Sequence, residues 1–329
     1  MAILVTGGAG FIGSHVVKDL IAMGEEVIVI DDLSGGFREN VDPRATFIEG
    51  TVTDNVLVEK VFKEHRIEYV FHLAAYAAEG LSHFIKRFNY ENNLIGSVNL
   101  INASVNYRAK CFVFASSIAV YGAAQLPMRE EMLPVPEDSY GIAKLAVELE
   151  LKASQHMFAL NYIIFRPHNV YGENQNIGDK YRNVVGIFMN QIMRGEALTI
   201  FGDGTQTRAF TYIRDVSPII AKSIRMPEVY NEVFNIGSDE VVTVKELAML
   251  VSEIFGVEPK IRYLEPRKEV KHAFSDHSKL IKNFNYLPRY SLKEGTRAMA
   301  AWVKKVGSRQ SKKFQNIEIM RNLPAGWLE

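Results

Sequence analysis

A short apolar run at residues 2–5 leads straight into TGGAGFIG at 6–13, and a second strand-like run at 26–30 ends on Asp31. Residues 11–23 carry apolar side chains at helical spacing, so Gly7, Gly10 and Gly13 fall in a strand-to-helix turn. Each glycine has its own task there. Gly7 permits the tight turn, Gly10 lets the backbone approach a pyrophosphate at the helix N-terminus, and Gly13 lets helix and strand pack closely. Asp31, followed by Asp32, places a carboxylate where an adenosine ribose would lie; it accepts the 2′-OH and repels a 2′-phosphate. A lone glycine triplet is more often an ordinary loop. With strand, helix, second strand and acid in register, the pattern points to a dinucleotide, NAD rather than NADP.

The rest of the chain bounds the setting. Lys plus Arg and Asp plus Glu are both 38 among 329 residues, so no net field recruits nucleic acid or an anionic membrane. The single cysteine, Cys111, excludes an intrachain disulfide framework and any multi-cysteine metal site, and no metal is expected. Its place in an apolar run reads as a small buried hydrophobe. The chain starts at once with a strand and has no apolar run of membrane-spanning length, which leads to a cytoplasmic expectation.

Strand-like runs recur at 2–6, 26–30, 46–49, 69–73, 111–115 and 161–166, separated by helix-like stretches at about 11–23, 54–65, 89–107 and 139–158. Such alternation means an α/β fold with a doubly wound parallel sheet. Beyond Pro167 the pattern loosens into a smaller, mixed α/β half with helices near 185–194, 215–225, 243–255 and 291–305 and a strand at 198–201. The expected division is 1–170, with a return segment at about 205–237, and 171–329. Leu94, Val98, Ile101 and Val105 form a stripe that is usually core, but the 89–107 and 139–158 helices together also suit a four-helix interface in a homodimer.

Tyr140 and Lys144, four apart at the start of the 139–158 helix, emerge on one face. An ammonium beside a phenol favours phenolate, which can take a proton from a substrate hydroxyl near neutral pH. Chance supplies about one Tyr-to-Lys pair at this spacing in a chain of this composition. Ser117 adds weight: it lies just past the fifth strand, at the edge of a parallel sheet where ligands bind.

TGGAGFIG, the HLAA at 72–75, ASSIAVYG at 115–122, YGIAK at 140–144, FRPHNVYG at 165–172 and FGDGTQTRAFTYIRD at 201–215 together resemble the extended short-chain dehydrogenase/reductase superfamily, in its nucleotide-sugar branch typified by UDP-galactose 4-epimerase. The likeness spans nearly the whole chain in the expected order. It implies a Rossmann domain holding NAD and a C-terminal domain holding a nucleotide sugar, most simply a UDP-sugar. It makes Ser117, Tyr140 and Lys144 catalytic. Phe11 and Ile12 would offer backbone to the pyrophosphate, Leu73, Ala74 and Ala75 a wall beneath the cofactor, and Val52, Asn92 and Pro167 further cofactor contacts. Asn169, Arg208 and Arg267 would grip the substrate diphosphate, guanidinium groups suiting phosphate oxygens. Taken singly, each arginine is more often a solvated charge. Phe201 would border the nucleobase, with Val185 nearby, while Glu79, His83 and Arg182 would line the sugar or simply face water.

The chain also departs from that family. Thr51 stands where its members place an acid against the adenine amino group, RAF replaces RDF after the glycine turn, and PRKEV is one residue short around Arg267. Ile118 and Ala119 follow the catalytic serine, where 4,6-dehydratases resemble one another in an Asp-Glu pair, and neither can move a proton. The expected reaction is therefore oxidation and re-reduction at C4 of the sugar, an epimerisation. The alternatives are a 4-keto-sugar reductase consuming NAD(P)H, a uronate epimerase or decarboxylase, and a non-catalytic NAD-sensing regulator.

Overall fold

The computed structural model describes residues 2–123, 126–266, 270–310 and 314–324. Seven strands form one sheet in the order Glu232–Ile236, Asn161–Pro167, Cys111–Ala115, Ile67–His72, Ala2–Thr6, Glu26–Asp31, Thr46–Glu49, with all neighbours parallel. Both faces are buried, and the pleat sorts the side chains. Val5, Val29, Phe71, Val113 and Phe165 point to one face, where Val16, Val17 and Leu20 of helix Phe11–Ala22 cover them. Their neighbours Leu4, Ile28, Val70, Phe112 and Ile164 point to the other, under Val58 and Phe62 of helix Asn55–Glu64, Leu100 and Ile101 of Gly96–Asn106, and Val147 and Leu151 of Ser139–Phe158. Continuous apolar runs with covering helices are what a parallel sheet buried on both sides requires.

The first strand lies between the second and the fourth. At that reversal of strand order, connections leave in opposite directions and open a crevice at the C-terminal strand ends. Helix ends follow local chemistry. The Asp54 carboxylate accepts from the Val56 and Leu57 amides, Asp138 accepts from Gly141 N, and Ala159 in the left-handed region stops the 20-residue helix.

Two segments differ from expectation. The 215–225 helix is broken into Ile213–Asp215, Ser217–Lys222 and Ser223–Arg225, with Pro218 opening the middle piece. The strand Glu232–Ile236 extends the main sheet, although periodicity did not single it out. Among the described residues the rest of the molecule has small sheets: Val170–Tyr171 pairs with Thr211–Tyr212, Leu198–Phe201 pairs with Ile261–Leu264, and Thr207–Ala209 lies between Val241–Thr243 and His272–Ala273. No helix among the described residues is long and apolar enough to cross a membrane.

Between Lys86 and Asn106 the chain is one helical run interrupted by a π turn at Glu91–Ile95. The turn aims Asn93 inward. Its side chain accepts from Tyr76 N at 2.8 Å and donates to Tyr76 O at 3.1 Å, clamping the segment after the fourth strand. Leu94 and Val105 pack partly on the core and Ile101 wholly within it.

Candidate active site

The glycine turn is closed by its own backbone. Gly7 has φ +75°, its N–H donates to Ile30 O at 2.9 Å, and Gly10 N donates to Gly7 O at 3.0 Å. A Cβ on Gly13 would lie 2.0 Å from Gly7 O, and one on Gly7 would lie 2.7 Å from Ala74 N, so side chains are excluded at both places. Leu73 N donates to Thr6 O at 3.2 Å, which sets Leu73, Ala74 and Ala75 against the turn. Helix Phe11–Ala22 begins with no side-chain cap and no acid in its first turn. Its leading amides, Phe11, Ile12 and Gly13 among them, therefore present donors and the positive dipole end to an anion.

Asp31 faces this turn, 8% exposed, and accepts from Ala9 N at 2.9 Å and Leu33 N at 2.8 Å. Burial raises its pKa, while the amide contacts from Leu33 and Ala9 oppose that. Asp32 accepts from Ser34 N. A carboxylate beside uncapped helix amides fits the ribose and pyrophosphate of NAD. Thr51 is turned toward its own loop, bonding Thr53 at 3.0 Å, and Val52 is buried beneath Gly96. Asn92 donates to Phe88 O in its own helix; its neighbour Asn93 makes the tertiary contact. Pro167 ends its strand opposite Ile236.

Ser117, Tyr140 and Lys144 converge past the end of strand Cys111–Ala115. Gly141 makes the approach feasible, since a Cβ there would lie 2.6 Å from Ala119 O. Ser117 is 7% exposed and accepts from Ala119 N at 3.1 Å, and its hydroxyl lies close enough to the Tyr140 phenol to favour the phenolate. Lys144, 2% exposed, sends its ammonium to Ala115 O at 2.7 Å, with Nζ 4.6 Å from the Phe114 ring centroid and 5.7 Å from that of Tyr140. Burial pulls the Lys144 pKa down to about 7, partly offset by Glu148. The Tyr140 phenol is pushed well above its ordinary value, first by burial and then by the carboxylates Glu79 and Asp138, against the pull of Ser117 and Arg182. Burial is the largest influence on the phenol, and the Lys144 ammonium spends its hydrogen bond on a carbonyl.

Asn169, in the left-handed region at φ +42°, donates to Ala209 O at 3.1 Å. Arg208, on the same strand as Ala209, donates to the carbonyls of Thr207, Val270 and Lys271. The strand therefore brings these two residues together. Val185 is fully buried in the core, so its side chain packs inward. Phe201 is half-buried and its carbonyl accepts from Gln206. Arg182 pairs with Asp179, Nε to Oδ2 at 2.6 Å, and lies 4.9 Å over the Tyr76 ring. Glu79 opens the short helix Glu79–Ser82, and His83 follows it. Arg267 lies outside the described residues. Among the described residues no group of three or more His, Cys, Asp or Glu is placed to hold a metal ion.

Sequence reasoning missed Asn93 and Asp138. Asn93 was legible only as the second asparagine of YENN, and Asp138 only as a helix cap.

The model of the NAD dependent epimerase/dehydratase family matches residues 3–237. The chain belongs to that family. Its relatives include a putative UDP-glucose 4-epimerase of Methanocaldococcus jannaschii, 35% identical, covering 92% of this chain and 98% of the relative. Among solved structures, the Thermotoga maritima UDP-glucose 4-epimerase with UDP-glucose is 39% identical with a TM-score of 0.89, covering 93% of this chain and 99% of that one. The Bacillus cereus UDP-glucuronic acid 4-epimerase, in complex with UDP-glucuronic acid and NAD, is 30% identical with a TM-score of 0.86, covering 93% and 100%. This family member thus shares the fold along nearly its whole length with these two 4-epimerases.

Proposed function

We propose that this protein is an NAD-dependent 4-epimerase of a UDP-hexose. The observation that carries the reading is the convergence of Ser117, Tyr140 and Lys144 at the strand edge beside the glycine turn, with the proton-inert Ile118 and Ala119 next in the chain. NAD, when bound, supplies a reversible hydride acceptor for C4 of the sugar. Tyr140 Oη, as phenolate, takes the proton of the 4-OH and later returns it, and Ser117 Oγ shares that hydrogen bond. Lys144 adds positive charge beneath the ring. Asn169 and Arg208 hold the diphosphate as the pivot about which the 4-keto sugar turns to present its other face, with Arg267 as a further diphosphate contact. Asp31 and the amides of the glycine turn hold the cofactor, so it need not leave between half-reactions.

The test is direct. Purified protein given UDP-glucose, UDP-N-acetylglucosamine and UDP-glucuronate without added NAD is expected to interconvert at least one with its 4-epimer, with no net absorbance change at 340 nm. Absence of any epimer would sink the reading, and a stoichiometric demand for NAD(P)H would make the protein a reductase.

In the same reading, residues 1–170 with the returning strand bind NAD, residues 171–329 bind the nucleotide sugar, and the enzyme works in the cytoplasm. A homodimer is proposed through the 89–107 and 139–158 helices. Ile95, Ile142, Leu149 and Met157 lie exposed there, at 44–72%, which supports an apolar interface. Wild type is expected to sediment as a dimer and Leu149→Glu as a monomer; a monomeric wild type would rule the interface out.

A further inference from the structure

The last described residues return to the loop beside the glycine turn and to the 76–88 stretch. After helix Leu292–Val306, Arg309 is clasped by Asn190, backbone to side-chain amide in both directions at 2.9 Å. Its guanidinium lies 3.5 Å over the Phe37 ring and 3.2 Å from Glu39. Phe37 is itself bonded to the glycine turn, N–H to Ala9 O at 3.0 Å. The chain then passes the 172–183 loop so closely that a Cβ on Gly178 would lie 2.9 Å from Gln310 O.

Further on, Phe314 N donates to the Tyr181 hydroxyl at 3.2 Å. The Phe314 ring meets Phe88 at 4.9 Å and Tyr76 at 5.5 Å, centroid to centroid. The Glu318 carboxylate accepts from the Arg87 and Phe88 amides, both at 2.9 Å, capping the long helical run from outside, and the Glu318 and Ile319 amides donate to Phe84 O. Ile317 and Leu323 complete an apolar cluster with Ala78, Leu81 and Ile85. Residues 309–310 and 314–323 thus touch the loop beside the glycine turn, the 76–88 stretch that bears Glu79, and the loop that bears Arg182.

We propose that residues 309–310 and 314–319 strap the sugar-side wall of the crevice, with Phe314 the positioning residue that sets Tyr76 and, through the face of its ring, Arg182. The geometry explains why one aromatic side chain at this place matters. Tyr76 is held by its backbone to Asn93, by its ring edge to Phe88, and by its ring to Phe314 on one side and Arg182 on another. Removing Phe314 frees the ring on which Arg182 rests, and the same guanidinium lies against Gly35 in the loop after Asp31, where a Cβ would be 3.2 Å from it. A guanidinium displaced by an ångström or so at this distance changes how the substrate is seated while the serine, tyrosine and lysine stay where they are. The inference rests on the epimerase reading for the identity of the ligand, but the strap itself is read from contacts alone.

The holoenzyme tests it. Phe314→Ala is expected to raise KM for the UDP-sugar about tenfold, with kcat within about twofold and NAD content per chain after gel filtration unchanged, whereas Phe314→Tyr restores KM. An unchanged KM in folded Phe314→Ala, or a fall in kcat at constant KM, would overturn the proposal. If Phe314→Ala does not fold, Glu318→Gln keeps the shape and weakens the cap; a smaller rise in KM supports the strap and none defeats it. Should the wild type make no epimer, calorimetric titration with UDP-glucose separates the two readings: weaker binding by the variant supports the strap, and equal binding, or none by either protein, overturns it.

Discussion

Tyr140→Phe is expected to lower kcat for epimerisation by about a thousandfold while NAD stays bound, because only the proton-carrying oxygen is lost. The ring is nearly buried and remains in place, at 6% exposure in the native chain. The glycine turn and Asp31, proposed above to hold the dinucleotide, make no contact through that hydroxyl. A pH profile adds a sign. With the phenol pushed up by burial and by Glu79 and Asp138, the proton rests on Tyr140 at neutral pH, so kcat/KM should rise with pH as the phenolate fraction grows. Lys144, pulled down to about 7, loses its charge over the same range and with it the attraction that favours phenolate. The rise should therefore be steep below pH 7 and shallower above it. Stopped assays on the holoenzyme from pH 5.5 to 9 check this (about unit slope, then a bend); a rate that falls as pH rises toward 7 would refute the assignment of Tyr140 as base. Activity within about tenfold of wild type in Tyr140→Phe would do the same.

The second large effect is on stability. Arg166 and Glu148 are 2% and 1% exposed and face each other, Nε to Oε1 at 2.9 Å and a second bond from the other guanidinium arm. The network continues. Arg166 donates to the Tyr121 hydroxyl at 2.7 Å, Tyr121 to Asn235 Oδ1 at 2.8 Å, and Ser116 to Glu148. Removing one partner strands the other charge in the interior. Arg166→Leu is thus expected to cost about 3–5 kcal/mol in urea unfolding, whereas Arg166→Met with Glu148→Leu should recover most of it because no lone charge is left. A single variant that loses under about 1 kcal/mol would mean that water or a rearranged partner reaches Glu148. Ser116 precedes Ser117, so the folded remnant should also epimerise more slowly.

Six of the seven sheet strands were legible as apolar runs because their polar residues, Thr46, Glu49, His72 and Arg166 among them, stand at or next to the strand ends and leave an apolar stretch between. The seventh, Glu232–Ile236, was not, since EVFNI includes Glu232 and the fully buried Asn235, whose polarity hides its place in the sheet. The glycine turn and Asp31 were legible because backbone geometry there admits few residue types. The convergence of Ser117, Tyr140 and Lys144 was legible from helix spacing and strand-edge placement, but the burial around Tyr140 was not. Desolvation depends on everything packed around a group, and no local spacing records it. Asn92 and Asn93 are adjacent, so only the π turn decides which one reaches Tyr76. The strap escaped notice because its contacts come from scattered side chains of no period, Arg309, Phe314 and Glu318, acting at three distant loops.

The strand Glu232–Ile236 also sets the order in which the molecule can be assembled. It pairs along the outer side of Asn161–Pro167 and supplies Asn235 to the Tyr121 hydroxyl. Until residue 236 has left the ribosome, the sixth strand is an open edge and Arg166 lacks the last link of its polar chain, so the nascent polypeptide carries an exposed pairing template through the synthesis of some seventy further residues. Cutting the gene at the apparent end of the first half would make that transient edge permanent.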